Sequence, residues 1–166
     1  EYDKALDYHN KSLAINEEID DKLGIINSLY QIGTIYNDKG NRDKAMEYYN
    51  RVLSIQDIIN DKHGMAYSLL EIGTLYYDNG EYEKAINSHN RSLFIKKEIG
   101  NKLGMESNLY SIGVAYYHQG DYDKAKKYLQ ESLIIQKKID SYGLELSTTT
   151  YLYLTYKHLG KAYDLK

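Results

Sequence analysis

Five histidines and 24 carboxylate side chains are where metal or acid–base chemistry could begin in this chain of 166 residues, which contains no cysteine. Without cysteine there is no thiolate nucleophile, no disulfide framework and no thiolate-ligated metal. His118 and His158 stand 40 residues apart, in the register that Asp38 and Asp78 occupy earlier in the chain. Carried on successive packed helices, such a row is spread at ~8–10 Å per step, whereas zinc needs its nitrogens ~2 Å away. The row therefore predicts no metal site. His9 and His89 match one another at a spacing of 80 and are expected to pack inside helices, while His63 reads as a surface residue near a turn. No HExxH, phosphate-cradling glycine loop or nucleophile–base pair occurs. Catalytic residues and cofactors are not expected, and an enzyme is disfavoured.

The residue in excess is tyrosine, with 20 copies against one phenylalanine, no tryptophan and no proline. The charge balance, 21 basic against 24 acidic side chains with a net charge of -3, lacks the basic footprint that phosphate neutralisation requires, so nucleic acid is not an expected partner. No uninterrupted apolar run approaches the ~18 residues of a membrane span, and the N-terminus lacks a signal-peptide pattern. The expected setting is soluble and cytoplasmic, with no membrane partner. The chain opens on Glu1 instead of methionine and is expected to be a piece of a longer protein.

Internal repetition organises what remains. Residues 1–40 laid over 41–80 give 19 identities in 40 without a gap, and 41–80 over 81–120 give 16, where ordinary residue frequencies give about 2. A fourth copy begins at Asp121 and drifts: Gly143 falls one residue short of the spacing set by Gly24, Gly64 and Gly104, and Tyr153 replaces Gly33, Gly73 and Gly113.

Each copy contains two stretches of helical period. In the first, Leu109, Ile112, Gly113 and Tyr116 share a face, and Gly120 supplies a stop before Asp121 caps the second. In the second, Ala125, Tyr128 or Leu129, Ser132, Ile135 and Ile139 share a face. The pattern predicts eight helices, near 2–19, 22–39, 42–59, 62–79, 82–99, 102–119, 122–139 and 142–159, and no strand. The mid-helix glycines each cost roughly 1 kcal/mol against alanine. Close approach of a partner helix is expected to offset that cost, with Ala5, Ala45, Ala85 and Ala125 as the opposing small surface.

A lone hairpin cannot bury its apolar face, so copies must stack into an all-α solenoid of antiparallel helix hairpins. The run Leu109, Ile112, Gly113, Tyr116, Gly120, Tyr122, Ala125 and Ser132 resembles the tetratricopeptide repeat, and so do Leu29, Ile32, Gly33, Tyr36, Ala45 and Leu69, Ile72, Gly73, Tyr76, Ala85. The period is similar to the 40-residue variety of that family. The family's terminal proline is missing, and one packing position carries His9, Tyr49 and His89 in turn. The resemblance implies a right-handed superhelix: a half repeat over 1–20, full repeats over 21–60, 61–100 and 101–140, and an atypical first helix plus stub over 141–166.

A second stripe on each first helix varies where the core stripe repeats. It reads Asn27, Tyr30, Thr34, Asn37; Tyr67, Leu70, Thr74, Tyr77; Ser107, Tyr110, Val114, Tyr117; and Ser147, Thr150, Leu154, Lys157. The resemblance implies that first helices line a concave groove, so the first three sets are the expected partner-binding residues, metal excluded. Tyrosine suits contact, offering area and a hydrogen bond with few rotors; the competing reading is that Tyr30, Tyr77 and Tyr117 fill gaps between helices. Family members that clamp carboxylate termini do so with lysine, arginine and asparagine. Tyr30, Thr34, Leu70, Thr74, Tyr110 and Val114 offer no such clamp. The lysine pairs Lys96-Lys97, Lys126-Lys127 and Lys137-Lys138 read as solvated outer surface.

The expected function is a non-catalytic protein- or peptide-interaction module; the alternative is a regulatory or sensory segment of a larger bacterial signalling protein. The ends suggest self-association. Helix 2–19, with Ala5, Leu6, Leu13, Ile15 and Ile19, and helix 142–159, with Tyr151, Leu152, Tyr153, Leu154, Tyr156 and Leu159, offer apolar faces that could stack head to tail, a contact that bulky Tyr153 opposes.

Overall fold

A computed structural model describes residues 1–139 and 145–159. Among these residues the chain is entirely helix and short turn. The helices are α1 (Tyr2–Glu18), α2 (Lys22–Asp38), α3 (Arg42–Ile58), α4 (Lys62–Asp78), α5 (Tyr82–Glu98), α6 (Lys102–Gln119), α7 (Tyr122–Ile139) and α8 (Glu145–His158). Seven of the eight expected spans agree within a residue at each end. The eighth begins at Glu145, because Tyr142 and Gly143 lie outside the described residues, as does the stub over 160–166.

The turns recur as regularly as the helices. Every twentieth residue from 20 to 120 has positive φ: glycine at 40, 80, 100 and 120, and Asp20 and Asn60 at the other two. Aspartate and asparagine tolerate this left-handed geometry better than other side chains. A cap follows one residue later in most turns. Asp21 Oδ1 accepts from the Leu23 and Gly24 amides, and Asn41, Asp61, Asn101 and Asp121 accept from the amide three residues on. Each such cap contributes about 1 kcal/mol.

Burial is distributed along the array and has no single centre. Leu13, Ile25, Ile26, Leu29, Ile32 and Val52 join α1, α2 and α3; Ala45, Tyr49, Ile72 and Leu75 join α3 to α4. Ile86, Leu93, Leu109, Ile112 and Ala115 join α5 to α6, and Val114, Ala125, Leu129 and Leu152 tie α6 and α7 to α8. Each buried Leu or Ile contributes about 1.5–3 kcal/mol. The backbone of α4 comes close to that of α6, and α6 to α8, whereas among the described residues no two odd-numbered helices come as close, α1 and α3 meeting through side chains such as Glu17 and Arg51. The even-numbered helices therefore form the inner layer and the odd-numbered ones the outer layer. On the outside, Lys44, Lys84 and Lys124 each lie over the ring of Tyr36, Tyr76 or Tyr116 at 4.8, 5.3 and 5.0 Å.

Two expectations are corrected here. The glycines do admit a close neighbour, but it is not alanine. A Cβ on Gly33 would meet the Tyr49 ring at 2.8 Å, on Gly73 the His89 imidazole at 2.5 Å and on Gly113 the Leu129 side chain at 2.7 Å. The opposing group stands one helical turn beyond each alanine. Ala45, Ala85 and Ala125 are buried, whereas Ala5 is only half-buried.

The second correction concerns Lys96, expected on the solvated outer surface. It is buried, and its ammonium donates to Asn108 Oδ1 at 2.5 Å and to the Gly104 carbonyl at 3.2 Å. The same position in the other copies also pairs with the residue twelve positions on: Asn16 with Ser28 at 3.3 Å, Gln56 with Ser68 at 2.8 Å and Gln136 with Thr148 at 3.1 Å. This polar rung stitches each outer helix to the next inner one. It also explains Gly24, Gly64 and Gly104, where an added Cβ would collide with Asn16, Gln56 and Lys96 respectively. Lys97, Lys127, Lys137 and Lys138 are exposed as expected, while Lys126 is half-buried with its ammonium 5.9 Å from the centre of the Tyr156 ring.

Candidate functional site

The inner layer carries the variable stripe in two unequal parts. At the α2–α4 junction the stripe is closed upon itself. Tyr30 lies between Tyr49 and Tyr67, with ring centres 5.3 and 5.7 Å away, and its hydroxyl donates to that of Tyr67 at 3.3 Å. Thr34 gives its proton to the Tyr30 carbonyl at 3.1 Å, so the Tyr49 hydroxyl, 3.2 Å away, donates to Thr34. Burial pushes the Tyr30 and Tyr49 phenols above their usual range. Burial likewise raises the half-buried Glu71 carboxyl, against a hydrogen bond from Tyr67. Here Tyr30 fills the gap between helices, and Tyr49 reaches the inner face from an outer helix because Gly33 lets its ring pass. Asn27 and Tyr67 are exposed, with Asn37 and Leu70 half-buried.

At the junction of α4, α6 and α8 the layer opens into a cleft of about 270 Å³ lined by Thr74, Tyr77, Asp78, His89, Tyr110, Ser111, Val114 and Tyr151. The sequence register explains the opening. Where the first junction has Tyr49 crossing Gly33, the second has the shorter His89 against Gly73, which leaves the space beyond the imidazole unfilled. His89 Nδ1 is buried without a hydrogen-bond partner. Burial, with a contribution from the Lys96 charge, pushes the imidazole down to about 4, so it is neutral at pH 7.

The walls of the cleft are aromatic. Tyr110 meets Tyr151 edge to face, with centres 6.0 Å apart and planes at 77°. Tyr77 packs on His118 and Tyr82, and Tyr117 on Tyr122 and Tyr151. Burial raises the phenols of Tyr77, Tyr110 and Tyr117, with Tyr151 adding to the effect at all three. Thr74 and Ser111 spend their protons on the Leu70 and Ser107 carbonyls, and so turn lone pairs outward. Val114 belongs to the core beneath and reaches the cleft only with an edge. Ser107 is half-buried on the same helix.

The variable stripe thus supplies Thr74, Tyr77, Tyr110 and Val114 to one cleft, while Asn27, Tyr30, Thr34 and Asn37 lie a repeat away. It did not include His89, Asp78, Ser111 or Tyr151. Ser111 and Tyr151 share a register one residue beyond the Tyr110 position, so a wider stripe would have found them. His118 is exposed at the rim with its Nε2 3.5 Å from the Tyr151 hydroxyl, and the His158 side chain lies outside the described residues. Among the described residues no three His, Cys, Asp or Glu side chains are placed to hold a metal ion. No helix among them is long and apolar enough to cross a membrane. Outside the inner layer, a crevice of about 300 Å³ lies between α3 and α5 and one of about 440 Å³ between α4 and α5, both lined by Asn87 and Arg91.

Stacked helix hairpins with an aromatic cleft on the inner layer define an α-solenoid built to present a continuous surface. The chain belongs to the tetratricopeptide repeat family, whose models match residues 1–58 and 107–139. No curated protein matches the sequence. Among solved structures it is similar to BtubC from P. vanneervenii, at 20% identity and a TM-score of 0.87 over 96% of this chain and 66% of that one. A signal transduction ATPase with numerous domains and a tetratricopeptide repeat sensor, from Pyrococcus horikoshii, matches at 25% identity and a TM-score of 0.86, over 98% of this chain and 25% of that one. A Rap protein complexed with Competence and Sporulation Factor matches at 18% identity and a TM-score of 0.75, over 96% of this chain and 44% of that one. The chain thus spans from a quarter to two thirds of the length of these structures, and the likeness to them establishes the fold.

Proposed function

We propose that the chain is a non-catalytic protein-interaction module that binds a peptide or an extended protein segment along its inner layer. The observation that carries this reading is the cleft walled by Tyr77, Tyr110 and Tyr151, one ring from each of three successive inner helices. A contact surface assembled from consecutive repeats suits a segment that runs across them, anchored by side chains in pockets and by a few hydroxyl bonds. Aromatic anchors of this type carry a large share of binding energy at protein interfaces.

The partner-binding residues proposed are Asn27, Tyr30, Thr34, Asn37, Tyr67, Leu70, Thr74, Tyr77, Ser107, Tyr110, Val114 and Tyr117, with the contact centred on the third set and its neighbours. A regulatory role within a longer cytoplasmic signalling protein is supported by the likeness to a tetratricopeptide sensor and to a Rap protein bound to a factor. Panning a random-peptide library against the chain tests the reading. Peptides should be captured by the wild type and lost with Thr74→Arg, which places a bulky cation at an exposed inner position without touching the core. Capture that survives Thr74→Arg and Tyr110→Ala alike would overturn it. Head-to-tail self-association through α1 and α8 is a subsidiary proposal, supported by exposed Ile15, Ile19 and Tyr153; a monomeric mass at all concentrations in light scattering would refute it.

A further inference from the structure

We propose that the inner cleft is a receptor for one cationic side chain, the ammonium of a lysine or the guanidinium of an arginine, presented by the bound segment. The inference rests on the peptide-binding reading and names the chemistry of its anchor.

The lining groups agree on the sign of the ligand. Among the described residues, Asp78 is the only formally charged group lining the cleft at neutral pH, since the His89 imidazole is neutral. Thr74 and Ser111 face it as acceptors because their hydroxyl protons are already committed to backbone carbonyls. The phenols of Tyr77 and Tyr110 are held in their neutral form. Tyr77, Tyr110 and Tyr151 supply three rings to the cleft lining, Tyr110 and Tyr151 nearly perpendicular at 77°. Ring faces attract a cation through their quadrupole, more strongly when the cation is desolvated.

Among the described residues, no lysine or arginine lines the cleft. Lys96, whose charge reaches His89, directs its ammonium to Asn108 and the Gly104 carbonyl. Inner helices α2, α4 and α6 carry lysine only at their first residues, Lys22, Lys62 and Lys102, and no arginine, while Asp38, Glu71 and Asp78 fall within α2 and α4; α8 carries Lys157. An anionic or carboxylate-terminated ligand would find no counter-charge among the described residues lining the cleft, and a purely apolar one would make no use of the exposed Asp78 carboxylate or the two hydroxyl acceptors. At about 270 Å³ the cleft has the volume of roughly nine waters at ~30 Å³ each, room for a long side chain and not for a folded element.

The test uses two small probes, Nα-acetyl-lysine N-methylamide and its uncharged norleucine counterpart, titrated into the chain carrying ring-labelled tyrosine. The Tyr77, Tyr110 and Tyr151 resonances should move with the lysine amide and not with the norleucine amide. Affinity should fall about tenfold in Asp78→Asn and stay unchanged in Asp38→Asn, which removes the matching carboxylate one repeat away. Equal responses to the two probes, no response to either, or equal loss in both variants would each overturn the proposal. The library experiment separates it from the reading beneath it. Peptides captured in a Thr74→Arg-sensitive manner without enrichment of lysine or arginine would overturn the cation anchor and leave the groove standing. Lysine amide bound in the cleft with no peptide captured would support the anchor and remove the peptide.

Discussion

The buried Lys96 ammonium hydrogen-bonds Asn108 Oδ1 at 2.5 Å, and Asn108 Nδ2 in turn donates to the His89 carbonyl at 2.8 Å. One pair thus ties outer helix α5 to inner helix α6 directly behind a residue of the candidate site. Burial pushes Lys96 down to about 8, opposed by Glu71, from an ordinary value of 10.5. As pH rises from about 8 to 10.5 the native chain releases this proton before the unfolded chain does, so stability rises across that window. Below about 8 the full penalty remains. Lys96→Met has no such proton. Denaturant titrations should show the difference between wild type and Lys96→Met moving in favour of wild type from pH 8 to 10.5, by at most about 3 kcal/mol; comparing the two cancels the tyrosine titrations they share. A constant difference would mean that the ammonium is solvated.

Gly73→Ala should destabilise the chain, although alanine gains about 1 kcal/mol in helix propensity. The added Cβ would lie 2.5 Å from His89 Cε1 and 2.6 Å from Nδ1, so the imidazole must move within a packed layer. A net loss of about 1–3 kcal/mol is expected in thermal or denaturant melts. A gain in melting temperature would show that the two helices are not held this close.

His89 supplies the acid limit. Its imidazole ordinarily titrates at 6.5 and is held at about 4, so between 6.5 and 4 the unfolded chain takes up a proton that the native chain refuses, and stability is lost as pH falls. The loss is at most about 3 kcal/mol. His89→Tyr should remove it, because Gly73 admits a ring as Gly33 admits Tyr49, and the new hydroxyl can donate to Thr74 as Tyr49 does to Thr34. The same variant should fill the cleft. Melting curves from pH 4 to 7 for both proteins check the acid limb.

The polar rung makes a further prediction at Gln56 and Ser68, buried partners 2.8 Å apart. Ser68→Ala alone leaves the Gln56 oxygen unpaired and should cost about 1–3 kcal/mol. Gln56→Leu combined with Ser68→Ala should recover most of that loss, giving a coupling in a double-mutant cycle. Additive losses would show that each side chain acts alone.

Tyr117→Ala and Tyr77→Ala should differ in a way that the sequence alone did not distinguish. Both should lower affinity for a captured peptide by about 1–2 kcal/mol. Both rings pack against the core that ties α6 and α7 to α8, but Tyr77 packs in addition against the core shared by α5 and α6, so its removal should lower the melting temperature more. Calorimetry with each variant beside its thermal melt decides between contact and packing.

The fold was legible in the sequence because a repeat prints its own register. Positions that the first three copies share, such as Leu29, Leu69 and Leu109 or Gly33, Gly73 and Gly113, recur at a fixed spacing, and turns recur with them. Periodicity therefore fixed the helices and the inner stripe. What it could not fix was the partner of each position, because period gives the face of a helix and not the atom across from it. The glycines were matched to alanines when their true neighbours were Tyr49, His89 and Leu129, one turn further on. Lys96 reads as outer surface because it stands beside acidic neighbours on a second helix, yet it occupies the register of Asn16, Gln56 and Gln136, whose shared feature is a polar side chain bonded to the residue twelve positions on. The cleft arises where the pattern changes: tyrosine fills the first junction and histidine leaves the second open. The sequence determined the scaffold through what its copies share. Only the tertiary structure decided where a side chain too short to fill its place, between walls supplied by three separate helices, leaves a site.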